Sequence, residues 1–131
     1  MKIFLTGATG YIGSALARCF LKEGHSVAGL VRSKDKAARL AAEGVSLVPG
    51  DLKDPWSYQQ AARQSDALVH AGFDYGPDAR RSDKIAVETL VRCVEQGGGS
   101  RMLIYTSGVW VLGPSRAAPA VEGDATNPPA I

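Results

Sequence analysis

Scarcities in this 131-residue sequence narrow its chemistry first. Cysteine occurs only at Cys19 and Cys93. Neither has a Cys-x-x-Cys or Cys/His spacing beside it, which excludes a zinc site and a redox pair; no metal is expected, and both thiols read as small buried groups on helices. An excess of one charge is also missing. The 15 Lys and Arg face 13 Asp and Glu, a formal net charge of +2, scattered rather than gathered into the basic stripe that a nucleic-acid backbone requires. Nucleic acid is not an expected partner. No apolar run approaches the length of a membrane span, and a chain that opens directly on an apolar strand has no room for the segments of a leader. A membrane is therefore not expected as a partner either, and the expected location is cytoplasmic. At this length a domain buries roughly two-thirds of its unfolded surface, enough for one core without covalent staples.

Glycine, by contrast, is abundant. Residues 2 to 14 read Lys-Ile-Phe-Leu-Thr-Gly-Ala-Thr-Gly-Tyr-Ile-Gly-Ser, an apolar strand that runs into glycines at 7, 10 and 13 just as a helix begins. Such a corner is a phosphate cradle: the turn exposes backbone N–H groups, and the helix aims the positive end of its dipole at an arriving anion. Gly7 permits a turn of positive φ, Gly10 lets a diphosphate approach the main chain, and Gly13 allows close packing of helix on strand. The spacing is Gly-x-x-Gly-x-x-Gly rather than Gly-x-Gly-x-x-Gly, so the weight falls on the strand-to-helix context. No Lys-Ser or Lys-Thr follows the last glycine, which excludes a nucleotide triphosphate loop of the P-loop type. The corner reads as a dinucleotide site, with Thr9, Tyr11 and Ile12 as its other contacts.

Strand-like runs near 2–7, 26–32, 45–49, 67–72 and 101–106 alternate with helical patterns near 11–23, 34–43, 54–64 and 79–97. This alternation predicts an α/β, Rossmann-like, doubly wound parallel sheet covered on both faces. Right-handed crossovers give the strand order 3-2-1-4-5 and put the topological switch, where ligands bind, between strands 1 and 4. In the first helix Ile12, Leu16, Cys19 and Phe20 form the expected packing stripe; in the fourth, Val87, Leu90, Val91 and Val94 do. After Gly113 the sequence turns to Pro, Ala, Gly and acid without period. Residues 1–113 are thus expected to form the nucleotide-binding domain and 114–131 a tail.

The end of the second strand meets the adenosine ribose in such folds, where an acid would pair with the hydroxyls and an arginine would accept a 2′-phosphate. Here it reads Leu30-Val31-Arg32-Ser33. Arg32 offers a fork of donors matched to phosphate, Ser33 a hydroxyl, and Lys34 or Lys36 a nearby charge, so NADP is favoured over NAD; Arg32 also reads as the polar end of a strand. Ala71, Gly72 and Phe73 close the fourth strand beside the glycine corner, where small residues let ribose and diphosphate lie against backbone. His70 is expected to be a satisfied strand residue rather than a catalytic one. Asp74 to Arg81, with Tyr75, reads as a mobile-looking loop near the nicotinamide side, with solvated charge as its ordinary explanation and contact with a substrate or partner as the alternative. Asp51 or Asp54 could cap the helix beginning at Pro55, and Asp54 is better placed.

Thr6-Gly7-Ala8-Thr9-Gly10-Tyr11-Ile12-Gly13, Val48-Pro49-Gly50-Asp51-Leu52, Ala67-Leu68-Val69-His70-Ala71-Gly72 and Ile104-Tyr105-Thr106-Ser107-Gly108 together resemble, in order, the landmarks of the extended short-chain dehydrogenase/reductases, the NAD-dependent epimerase/dehydratase family. The resemblance implies that Asp51 and Leu52 flank the adenine, the carboxylate accepting from the exocyclic amine. It also implies hydride chemistry in which a Tyr acts as acid/base, a Lys four residues on lowers its pKa, and a hydroxyl, here Ser107, orients the substrate oxygen. The sequence departs from that pattern twice. Gly108 stands where the family often carries a second hydroxyl, and Tyr11, Tyr58, Tyr75 and Tyr105 are followed four positions later by Ala15, Ala62, Ala79 and Val109, so Tyr-x-x-x-Lys is absent. The family runs well beyond this length. The expectation is therefore the N-terminal cofactor-binding part of an oxidoreductase or epimerase, inactive alone, whose small-molecule substrate is held by later segments. A non-catalytic NADP-binding sensor is the alternative. A sheet truncated after the fifth strand leaves an open edge, an association hazard, and leaves a homo-oligomer open as a partner.

Overall fold

A computed structural model describes residues 1–33, 35, 37–98, 100–113, 119–121 and 123–128. Five strands, β1 (Lys2–Thr6), β2 (Ser26–Val31), β3 (Ser46–Pro49), β4 (Ala67–His70) and β5 (Met102–Tyr105), form one sheet in the order β3-β2-β1-β4-β5. All four pairings are parallel, as the βα alternation requires. The helices are α1 (Tyr11–Lys22), α2 (Ala38–Ala42), α3 (Gln59–Arg63) and α4 (Ala79–Glu95).

Alternation along β1 divides the core. Ile3 and Leu5 join Val27, Val69 and Ala17 of α1 on one face. Phe4 joins Ala28, Leu30 and Leu68 on the other, under Tyr58, Ala62 of α3, and Leu90 and Cys93 of α4. Burial of each large apolar side chain contributes about 1.5–3 kcal/mol, and with both sheet faces covered the strands read as continuous apolar runs. No helix among the described residues is long and apolar enough to cross a membrane.

Several local expectations need correction. The buried positions of α1 are Gly13 and Ala17, with Leu16, Phe20 and Leu21 packed around them; Ile12 is half exposed and Cys19 is exposed, while Cys93 is buried. The helix lies so close to the glycine corner that only small residues fit at its point of contact. In α4 the buried stripe is Ser82, Ala86, Thr89, Leu90 and Cys93, and Val91 is 38% exposed. Ser82 and Thr89 tolerate burial because their hydroxyls donate to the carbonyls of Asp78 and Ile85 four residues back.

The helix expected over 34–43 is only Ala38–Ala42, without a side-chain cap; Lys34 and Lys36 lie outside the described residues. That expected over 54–64 is split. Asp54 accepts from the Trp56 N–H, with Pro55 at the first position of a 3₁₀ turn, an arrangement worth about 1 kcal/mol. The chain then breaks at Tyr58, φ −134°, because its ring is drawn into the core to stack on Phe4 at 6.0 Å. Burial pushes the Tyr58 phenol above its ordinary pKa. At the far edge, Met102, Ile104 and Tyr105 of β5 are largely exposed. Beyond it a turn at Val109–Leu112 receives Asn127, whose N–H donates to the Val111 carbonyl at 2.8 Å.

Candidate functional site

The C-terminal ends of β1 to β4 open into a cleft of about 410 Å³, at the place where the sheet order reverses direction from β1. Its floor is made of two turns pressed together. Gly7 has φ +69°, and a Cβ there would come within 2.5 Å of the Ala71 carbonyl oxygen; a Cβ on Gly72 would sit 2.9 Å from the Gly7 nitrogen. No side chain can stand on this floor, so a ligand meets main chain directly. Gly10 closes the turn by donating to the Gly7 carbonyl at 2.8 Å and serves as N-cap of α1 without a side-chain hydrogen bond, with no acid in the first turn. The first-turn N–H groups, which no intrahelical acceptor can satisfy, are thereby presented to an anion. Gly13 lies behind the floor, where a Cβ would overlap the Gly7 carbonyl; its role is close packing.

The walls come from the residues that the sequence points to. Thr9, Tyr11 and Ile12 line one side with the glycine corner, and Arg32 stands at the end of β2. Asp51 and Leu52 approach from β3, and Ala71, Gly72 and Phe73 from β4. Tyr11 is 95% exposed. Ser33 does not line the cleft. Ser107 is exposed in the loop between β5 and the Val109–Leu112 turn, and the structure does not bring it to the cleft. Asp51 also has a local task, accepting from the Lys53 N–H at 2.9 Å.

Four lining residues were not singled out by sequence: Leu30, Gly50, Asp74 and Tyr75. Gly50 adjoins Asp51 and could have been included with it. Asp74 and Tyr75 belong to the segment read as solvated loop, but Asp74 pairs with Lys53 at 3.0 Å and Tyr75 packs edge-on against Phe73 at 5.2 Å. The Lys53 hydrogen bond holds the Asp74 carboxyl below the usual carboxylate range. Asp74 in turn raises the Lys53 ammonium.

Beneath the floor runs a polar chain, buried at Thr6 and His70 and reaching solvent at Tyr105. Thr6 Oγ1 accepts from the Gly72 N–H at 3.1 Å, which leaves its own proton for His70 Nδ1 at 2.5 Å. His70 Nε2 then carries the ring proton and donates to Asp83 Oδ1 at 3.2 Å, while the Tyr105 hydroxyl donates to Asp83 Oδ2 at 3.0 Å. Burial pushes the His70 pKa down despite the pull of Asp83, so the imidazole is neutral, as this pattern requires. His70 is a satisfied strand residue, as expected. It supports the cleft wall through Thr6 and Gly72 and does not itself line the cleft.

The glycine floor, uncapped helix and apolar walls suit a dinucleotide, and comparison with known proteins agrees. Residues 7–129 match a family model described as NAD(P)H-binding. An uncharacterized protein of Saccharomyces cerevisiae is 33% identical over 127 residues, covering 94% of this chain and 43% of that protein. A 2-alkyl-3-oxoalkanoate reductase of Stenotrophomonas maltophilia is 33% identical over 128 residues, covering 94% of this chain and 37% of that one. The solved UDP-glucose-4-epimerase of Stenotrophomonas maltophila, with bound NAD, superposes with a TM-score of 0.80 at 19% identity over 97% of this chain and 43% of its own. The chain thus spans less than half the length of each. It belongs to the NAD(P)H-binding family, as a nucleotide-binding domain with the fold of the extended short-chain dehydrogenase/reductases.

Proposed function

We propose that this chain holds the cofactor of an oxidoreductase or epimerase and takes NADP in preference to NAD. The observation that carries the reading is the convergence in one cleft of the glycine corner, Arg32, the Asp51–Leu52 pair and the Ala71–Phe73 wall. The first-turn amides of Tyr11 and Ile12 bind the diphosphate, and the Gly7–Gly72 floor lets it lie on main chain. The Arg32 guanidinium takes the 2′-phosphate in a charge-assisted fork, with Ser33 beside it, and no acid stands at the end of β2 to favour an unmodified ribose. The Asp51 carboxylate accepts from the adenine amine and Leu52 packs on the ring. Bound, the nicotinamide supplies a hydride donor or acceptor; this chain contributes binding and orientation.

Residues 1–113 form the cofactor-holding unit, and 114–131 lead toward the substrate region of the longer relatives. There the partner is a small molecule bearing a carbonyl or sugar, in a cytoplasmic protein. Ser107 is the hydroxyl that orients its oxygen once that region is in place. A sensor that binds NADP without turnover is the second reading, favoured by Gly108, which has no hydroxyl to offer; a tyrosine–lysine pair in the longer protein decides for the enzyme, and its absence there with NADP binding kept decides for the sensor.

Calorimetry should give tighter binding of NADPH than of NADH, and Arg32→Ala should remove most of the difference; equal affinities in the unaltered chain would defeat the assignment. With no tyrosine–lysine pair to move a proton, the chain should show no measurable carbonyl reduction in an NADPH-consumption assay. Turnover at the rate of an intact reductase would refute the division of labour.

A further inference from the structure

We propose that Lys53 sets the preference for the phosphorylated cofactor indirectly, by neutralising Asp74 and so keeping Arg32 available to the 2′-phosphate. The inference rests on the assignment of Arg32 made above. Asp74 lies in the loop after β4 and Lys53 in the loop after β3, strands separated in the sheet by β2 and β1. Their 3.0 Å ion pair therefore bridges the ends of the two central strands, above the cleft that Arg32 and Asp74 both line.

The carboxylate feels both cations: Lys53 holds it most strongly, by a hydrogen bond, and Arg32 adds a weaker attraction. The Asp74 side chain is 21% exposed against 46% for Lys53, so the carboxylate is the more sheltered member of a pair that solvent still reaches. Lys53 is aimed by its own turn, in which its N–H bonds to Asp51, and it also feels the charges of Asp78 and Asp51. Without the ammonium, Asp74 would turn its charge on Arg32 and compete for the guanidinium. It would also repel a phosphate monoester that carries about −2 near neutral pH. A cofactor with a hydroxyl at that position feels neither effect, so Lys53 acts on discrimination rather than on binding in general.

The test is calorimetric titration of NADPH and NADH into the unaltered chain, Lys53→Gln, Lys53→Gln with Asp74→Asn, and Arg32→Ala, at one fixed ionic strength because screening weakens all these terms. Lys53→Gln should weaken NADPH about tenfold and leave NADH within about twofold, and adding Asp74→Asn should restore NADPH to within about twofold of the starting value. Unchanged NADPH affinity in Lys53→Gln overturns the proposal. So does a loss that Asp74→Asn fails to restore, since Lys53 would then touch the phosphate itself. If Arg32→Ala keeps the full discrimination, the Arg32 assignment falls and this inference with it; if Arg32→Ala loses it while Lys53→Gln does not, only the role of Lys53 is refuted.

Discussion

Gly13→Ala will lose cofactor binding and much of its stability together, whereas Gly10→Ala will lose binding alone. A methyl group on Gly13 would overlap the Gly7 carbonyl, with the Gly7 carbonyl carbon at 2.6 Å and Ala8 Cα at 3.1 Å. All are main-chain atoms, and Gly7 cannot retreat because its other side is against the Ala71 carbonyl. The start of α1 must move instead, opening the buried contact at Ala17 and scattering the first-turn amides proposed to hold the diphosphate. Overpacking of this kind costs about 1–3 kcal/mol, and affinity for NADPH should fall by about a hundredfold or more. Gly10 has ordinary φ, −77°, and an added Cβ meets only the Gly7 oxygen at 3.2 Å. Gly10 lines the cleft, so a methyl there takes space that the proposed diphosphate needs, and urea unfolding should be nearly unchanged while calorimetric affinity drops. Equal loss of stability in both variants would contradict this division.

The second large effect belongs to His70. Its replacement by leucine leaves the Thr6 hydroxyl and the Asp83 carboxylate without their shared partner and should cost about 2–3 kcal/mol. The dependence on pH distinguishes this from simple loss of packing. The folded-state pKa of His70 lies below its ordinary 6.5, so as acidity increases the unfolded chain takes up the proton first. The contribution of the neutral ring is complete above the unfolded pKa and is lost progressively as pH falls below it toward the folded value. Urea midpoints at pH 7.5 and 5.5 should therefore differ more in the unaltered chain than in His70→Leu. Parallel pH profiles would show that His70 carries no such linkage.

How much of this was legible in sequence follows from which interactions are local. Strand order, the glycine corner and the Asp54 cap were readable because periodicity, turn chemistry and crossover handedness act over short stretches or by general rule. The packing face of α1 was legible only in part. Leu16 and Phe20 pack as their spacing predicts and Gly13 was readable as a close-packing position, but counting apolar side chains also selects Ile12 and Cys19, which are exposed, and misses Ala17, whose small size suits the tight approach of helix to sheet. The break at Tyr58 reflects the pull of Phe4, which lies on β1 far earlier in the chain. The partners of His70 and of Lys53 come from segments joined only when the sheet forms, so sequence could suggest that His70 was satisfied but not by what.

The all-parallel sheet also governs how the molecule assembles. Thr6 pairs with His70, 64 positions away, and among the described residues no hairpin brings β1 and β4 together early. Closing so long a segment is entropically costly before any contact rewards it, so folding should be slow for a domain of this size. During that interval the apolar strands stay exposed to other chains. A nascent copy would therefore gain from chaperone shelter more than a helical bundle of equal length.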